Sequence, residues 1–265
     1  MKNILLLVHQ DAGQEARLKV AVDLTRALRG HLTCIDITPF PVVFDQGMSL
    51  APAFILDEGK REEVNKVDLQ RRIGREDISW NWDDLRDDFI PALIEAAKNA
   101  DIIVLNRKLD TSARPNMRSI TSSVLMHTNA LVVAVSEHAN GMQLDCPVLV
   151  AWDGSAQASL ALERALPLLK HASLVTIFQL GDLPEASVTA QDAVEYLQRQ
   201  KVPVQIEIAP ATKEIAAEIC LAASRVGATY CVMGAFGHSR LREAIFGGVT
   251  RAMLEKATLP LALAH

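Results

Sequence analysis

Apolar and polar positions divide the chain into short continuous apolar runs alternating with stretches of helical period. Residues 3–8 are apolar throughout, the pattern of a strand covered on both faces of a parallel sheet. A helical stripe follows over 15–28, carried by Leu18, Val20, Ala21, Leu24 and Leu28, and Gly30 ends it. The next strand is predicted at 31–37, and 38–44 reads as a loop because its two prolines oppose ladder pairing. Residues 47–74 are mixed, and their later, charged part predicts an exposed helix with opposite charges at helical spacing. Residues 78–82 alternate as a strand with Trp80 and Trp82 on one face, Asp84 or Asp87 opens a helix that runs to Lys98, and 101–105 is a strand. A polar loop, a helix over 117–127 and a strand over 131–135 close this half.

The order then repeats. Strands are predicted at 148–152, 174–179, 204–208, 230–233 and 259–263, with helices at 157–170, 191–200, 213–226 and 248–256. Such alternation implies right-handed crossovers and a parallel sheet covered on both faces. A shift of 128 lays residues 100–135 on 228–263 without a gap, and a shift of 144 lays Ile4 on Val148, so the first half carries 16 extra residues between these points. The chain is a tandem duplication of one fold. The expected domains are 1–137 and 147–265, joined by a polar linker at 138–146.

Composition narrows the function classes. A net charge of −5 argues against a general nucleic-acid-binding surface. No apolar run approaches the roughly 20 residues that span a bilayer, and the apolar N-terminus is too short for a secretory signal, so the expected location is the cytoplasm, without membrane contact. Cys34, Cys146, Cys220 and Cys231 have neither metal-ligand nor disulfide-framework spacing.

The chemistry gathers after the last long strand, where Gly234-Ala-Phe-Gly237 is followed, after nine residues, by Gly247-Gly248-Val249-Thr250. A glycine turn after a buried strand, with a glycine pair opening a helix, presents backbone N–H groups to an anion. This spacing resembles the nucleotide signature of the universal stress protein family, with Gly248 standing where a Ser or Thr is usual. The resemblance implies two tandem doubly wound α/β domains, each a five-stranded, mostly parallel sheet with helices on both faces, Rossmann-like and akin to the adenine-nucleotide alpha hydrolases. It further implies ATP, with Mg²⁺ on the phosphates, as ligand, and a stress-response regulatory role exercised through a protein partner. The family pairs its closing strands between domains, so the two apolar closing strands are expected to join the halves as an intramolecular pseudo-dimer, leaving further homodimerisation open.

Within the second half, Ala151-Trp152-Asp153 ends the first strand, where open α/β sheets bind ligands. Asp153 reads either as a helix N-terminal carboxylate beside a Ser155 cap or, as the resemblance implies, as an acceptor for a ribose or adenine edge. Gln179 falls near the family's adenine-contacting backbone, and His238 and Ser239 follow Gly237 as candidate phosphate donors, with the His238 backbone N–H favoured over its imidazole. Thr250 offers a hydroxyl in the first turn of the last helix. In the first half Asn106, Leu109, Ser119 and Ile120 replace Gly234, Gly237, Gly247 and Gly248, and His9 faces Asp153, so that copy is expected to be degenerate. No phosphate-loop lysine, metal motif or nucleophile triad stands out. Two other readings stay open: a nucleotide-independent scaffold or carrier of apolar ligands, and a weak ATPase or autophosphorylating protein.

Overall fold

A computed structural model of the chain describes residues 2–38, 52–107, 117–184, 187–236 and 248–265. The first half runs β1 (Asn3–Val8), α1 (Gln14–Leu28), β2 (His31–Thr38), α2 (Pro52–Ile73), β3 (Ser79–Arg86), α3 (Phe89–Ala97), β4 (Ile102–Asn106), α4 (Met117–His127) and β5 (Leu131–Val135). The second runs β6 (Val148–Trp152), α5 (Ala156–Leu169), β7 (Val175–Leu180), α6 (Ala190–Arg199), β8 (Val204–Ala209), α7 (Ile215–Arg225), β9 (Cys231–Gly234), α8 (Gly248–Lys256) and β10 (Leu261–Ala264).

The five strands of each half merge into one ten-stranded sheet of order β3-β2-β1-β4-β5-β10-β9-β6-β7-β8. Every pairing within a half is parallel, and the halves meet where β5 pairs antiparallel with β10, Ala134 facing Leu261 and Val132 facing Leu263. Both closing strands are wholly buried. Left apart, each would expose an apolar edge to unwanted pairing, and joining them removes both edges.

Alternate strand residues feed two cores, each continuous across both halves. Ile4, Leu6 and Val150 face the layer of α1, α5 and α6, whereas Leu5, Leu7 and Leu149 face α3, α4, α7 and α8. Strands buried on both faces need apolar residues at successive positions, which is why the runs in the sequence are continuous rather than alternating.

Three expectations change. The helix expected to be exposed over the charged segment extends over 22 residues as α2, and although Val64 is exposed, Leu69 and Ile73 enter the α1 core. The second is β3, which does not stop at Trp82: it pairs with β2 as far as Arg86, so Asp84 lies in a strand, accepting from the Trp82 indole at 2.8 Å and from Lys66, and α3 begins only after Asp88. An edge strand has one open side, which lets β3 hold charged residues that break the alternating pattern. Finally, the connector expected to be a polar linker is packed, with Met142 and Leu144 buried and the Met142 N–H donating to Asp23 at 3.0 Å. The tryptophans do share a face, both packing on the α1 side. The proline-containing loop at 39–44 lies outside the described residues. Among the described residues no helix is long and apolar enough to cross a membrane.

Candidate functional site

In the second half β6 lies between β9 and β7, so the chain leaves β6 in one direction for β7 and later returns on its other side as β9. The strand order reverses there, and at such a point open α/β sheets form their ligand crevice at the carboxyl ends of the strands, here β6 and β9. The predicted residues of the first strand stand at its mouth. Ala151 is half-buried, Trp152 is buried on the α5 side, and Asp153 is exposed.

Of the two readings of Asp153, the geometry shows the carboxylate beside a Ser155 cap. Its carboxylate accepts from the Ser155 N–H at 3.0 Å and the Ser155 hydroxyl at 2.6 Å, while the Ser155 oxygen accepts from the Ala158 N–H at 3.1 Å. Ser155 is therefore the N-cap of α5, and its own donors hold Asp153 at the mouth. The turn between them needs Gly154, whose φ is +70°, a conformation that L side chains rarely adopt. A Cβ there would also meet the Val188 carbonyl oxygen at 2.9 Å. That close approach reflects a strap formed by the loop after β7. The Val188 N–H donates to the Gly154 carbonyl at 3.3 Å, and the Val188 carbonyl accepts from the Trp152 indole at 3.1 Å. Gln179 lies beside Trp152 in the β6–β7 register and is buried, its amide donating to the Gly181 carbonyl at 2.8 Å, so its side chain shapes its own turn.

Across the crevice, Gly234 ends β9 in register with Ala264 of β10. A Cβ at Gly234 would lie 2.6 Å from the backbone nitrogen of Ala158 and 2.9 Å from the Gln157 Cβ. The contact of β9 with the first turn of α5 therefore requires glycine here without any positive φ. Beyond it Phe236 has a φ of +66°, and its ring meets His265 edge-on with centroids 5.4 Å apart. His265 also bonds the Ala235 carbonyl through Nδ1 at 2.9 Å, tying this turn to the end of β10. Neither His265 nor the Val188 strap carries a local motif, because both act through residues distant in sequence.

At the start of α8, Gly248 is exposed and a Cβ added there meets nothing within 4 Å. Val249 is half-buried and Thr250 is turned into the protein, 4% exposed, so Gly248 is the member of the trio that borders open space. Gly237, His238, Ser239 and Gly247 lie outside the described residues.

The corresponding place in the first half is filled by side chains. Asn106, the counterpart of Gly234, donates to Asp11 at 2.9 Å, and Asp11 also accepts from Arg17 at 3.0 Å and the Gly13 N–H at 2.6 Å. Arg17 is 2% exposed and donates as well to the backbone carbonyls of Leu7 and His9. Burial pushes the Asp11 carboxyl up, but the Arg17 charge and the three donors outweigh it, so its pKa lies below the ordinary carboxylate value. Ile120, opposite Gly248 in the repeat, is fully buried. At the point of strand reversal the second half thus has glycines and an exposed carboxylate, where the first half has a buried polar network.

Residues 147–265 match the model of the universal stress protein family. The fold of the whole chain is similar to a universal stress protein from Archaeoglobus fulgidus DSM 4304, with a TM-score of 0.73 and 16% identity over 99% of this chain and 95% of that one. It is also similar to a candidate universal stress protein from Pseudomonas aeruginosa UCBPP-PA14, with a TM-score of 0.62 and 13% identity over 99% and 92% of the two chains. The cytoplasmic domain of a prokaryotic cation chloride cotransporter matches with a TM-score of 0.52 and 16% identity over 99% and 94%. No curated protein matches the chain. Identities this low speak for the fold, and the family match speaks for the second half. Residues 147–265 are a universal stress protein domain, and a first half of the same fold is joined to it through β5 and β10 in a tandem two-domain arrangement.

Proposed function

We propose that the second half binds an adenine nucleotide, ATP with Mg²⁺, at the crevice between β6 and β9, and that the protein is a regulatory member of its family rather than an enzyme. One observation carries this reading: the two ends of the glycine signature, Gly234 closing β9 and Gly248 opening α8, belong to the same half as the exposed, braced carboxylate of Asp153, and β6 and β9 flank the point of strand reversal. The residues fit the ligand. The space beside Gly248 leaves the first N–H groups of α8 approachable, and a helix N-terminus favours a phosphate. Asp153 would accept a hydrogen bond from a ribose hydroxyl or base edge, with Ala151 and Trp152 behind it. Gly237, His238, Ser239 and Gly247 would complete the phosphate cradle. Mg²⁺ would offset phosphate charge. The first half would bind no second nucleotide, since Arg17, Asp11 and Asn106 fill its crevice.

Binding would select one conformation of the chain, which a partner protein then reads. Calorimetric titration of the intact protein with Mg-ATP, ADP and AMP tests the proposal. The expected result is one site per chain, weakened by Asp153→Ala and lost in Gly237→Val. Gly234→Val is unsuitable, because its side chain would strike α5 whether or not a ligand binds. No binding by any of the three nucleotides overturns the reading and leaves a scaffold or an apolar-ligand carrier.

A further inference from the structure

Arg107 directly follows β4 in the first half, at the position where the second half has Ala235. Its backbone N–H donates to the Val135 carbonyl at 3.0 Å, and its side chain crosses to the other half, where Nη1 donates to the Met253 carbonyl of α8 at 3.3 Å. The residue is 9% exposed, and its Nε has no partner among the described residues. No carboxylate of the described residues pairs with it. Burial pulls the pKa of the guanidinium below its ordinary value, with only weak opposing influence from Cys220 and Glu137.

Burying a cation costs stability that an apolar residue of similar volume would not. What meets this one is the last turn of α8, whose carbonyls form the negative end of the helix dipole. The Met253 carbonyl already accepts from the Ala257 N–H at 2.9 Å, so Arg107 is a second donor to the same oxygen. The other end of this nine-residue helix, about 8 Å from Met253 along its axis, is the Gly248 terminus. We infer that Arg107 is a positioning residue, through which the first half holds the helix whose N-terminus forms the phosphate end of the second half's site. A half that has lost its own cradle thereby supports its neighbour's. The contact stands by itself, whereas its consequence for a ligand rests on the nucleotide reading.

The test uses the full chain with Arg107→Met, which keeps the apolar stem, and Arg107→Lys, which keeps the charge. Hydrogen exchange without nucleotide should show the amides of α8 exchanging roughly tenfold faster in the Met variant, with those of α7 and β7 unchanged and the Lys variant intermediate. Calorimetry with Mg-ATP should give a dissociation constant roughly three- to tenfold higher for Met than for wild type, at the same stoichiometry, with partial recovery in Lys. Unchanged α8 exchange overturns the inference, as does loosened α8 with unchanged affinity. Loosened α8 in a protein whose wild type binds no nucleotide supports the clamp and overturns the nucleotide reading instead.

Discussion

Gly234 at the end of β9 lies so close to Gln157 in the first turn of α5 that a Cβ on the glycine would sit 2.9 Å from the Gln157 Cβ. In the first half the same two places are occupied by Asn106 and Gly13, and there a Cβ on Gly13 would lie 2.8 Å from the Asn106 side-chain oxygen. The small residue has moved from strand to helix, and the side chain has moved the other way. Gly234→Ala should therefore destabilise the protein by about 1–3 kcal/mol through overpacking against α5. Gln157→Gly should return part of that loss, with a coupling of about 0.5 kcal/mol or more, because the remaining clash is with α5 backbone. Urea unfolding of the two single variants and the double variant measures both figures.

Gly248 has open space where its neighbours in the crevice do not. Gly248→Ser should fold as well as wild type and bind Mg-ATP more tightly, since it adds a hydroxyl beside the helix N-terminus. Gly248→Asp should be at least as stable, by about 0.3–1 kcal/mol from the helix dipole, yet repel a phosphate. Melting curves paired with calorimetry would show stability and affinity moving in opposite directions for the Asp variant.

Asp11 and Arg17 form an ion pair with side chains 6% and 2% exposed. The folded pKa of Asp11 is depressed, so its contribution to stability is complete above the ordinary carboxylate value and is lost as pH falls through the lower folded value. Asp11→Asn should lower stability at neutral pH by about 1–3 kcal/mol, since it removes the charge that Arg17, Asn106 and the Gly13 N–H donate to. Unfolding free energy measured from pH 6 to pH 3 should fall less steeply in this variant than in wild type.

Tyr230 is fully buried, and its hydroxyl has no hydrogen-bond partner among the described residues. Tyr230→Phe should raise stability by about 1 kcal/mol, because it removes an unpaired polar group from the core while keeping the ring. Denaturant midpoints at constant slope decide it, and a loss of stability would point to a partner for the hydroxyl.

The alternation of strand and helix, the tandem repeat and the place of the glycine signature in the second half are all legible in the amino-acid order. These are local properties: burial on both faces demands continuous apolar runs, helices demand a 3.6-residue period, and a duplicated pattern survives in register. Limits such as those of α4, β5, β6 and α8 were legible for that reason. The extension of β3 to Arg86 was not, because edge position rather than local pattern permits its charges.

Why Gly234 must be glycine follows from packing alone, since the atom it avoids belongs to α5, far away in sequence. Only the fold brings Val188 over the Asp153 turn, fills the first crevice with Arg17, Asp11 and Asn106, and carries Arg107 from one half to the last helix of the other. Contacts of this kind leave no periodic trace. They depend on which strands become neighbours, and that was settled by the pairing of β5 with β10, which sets the two halves against each other in a single sheet.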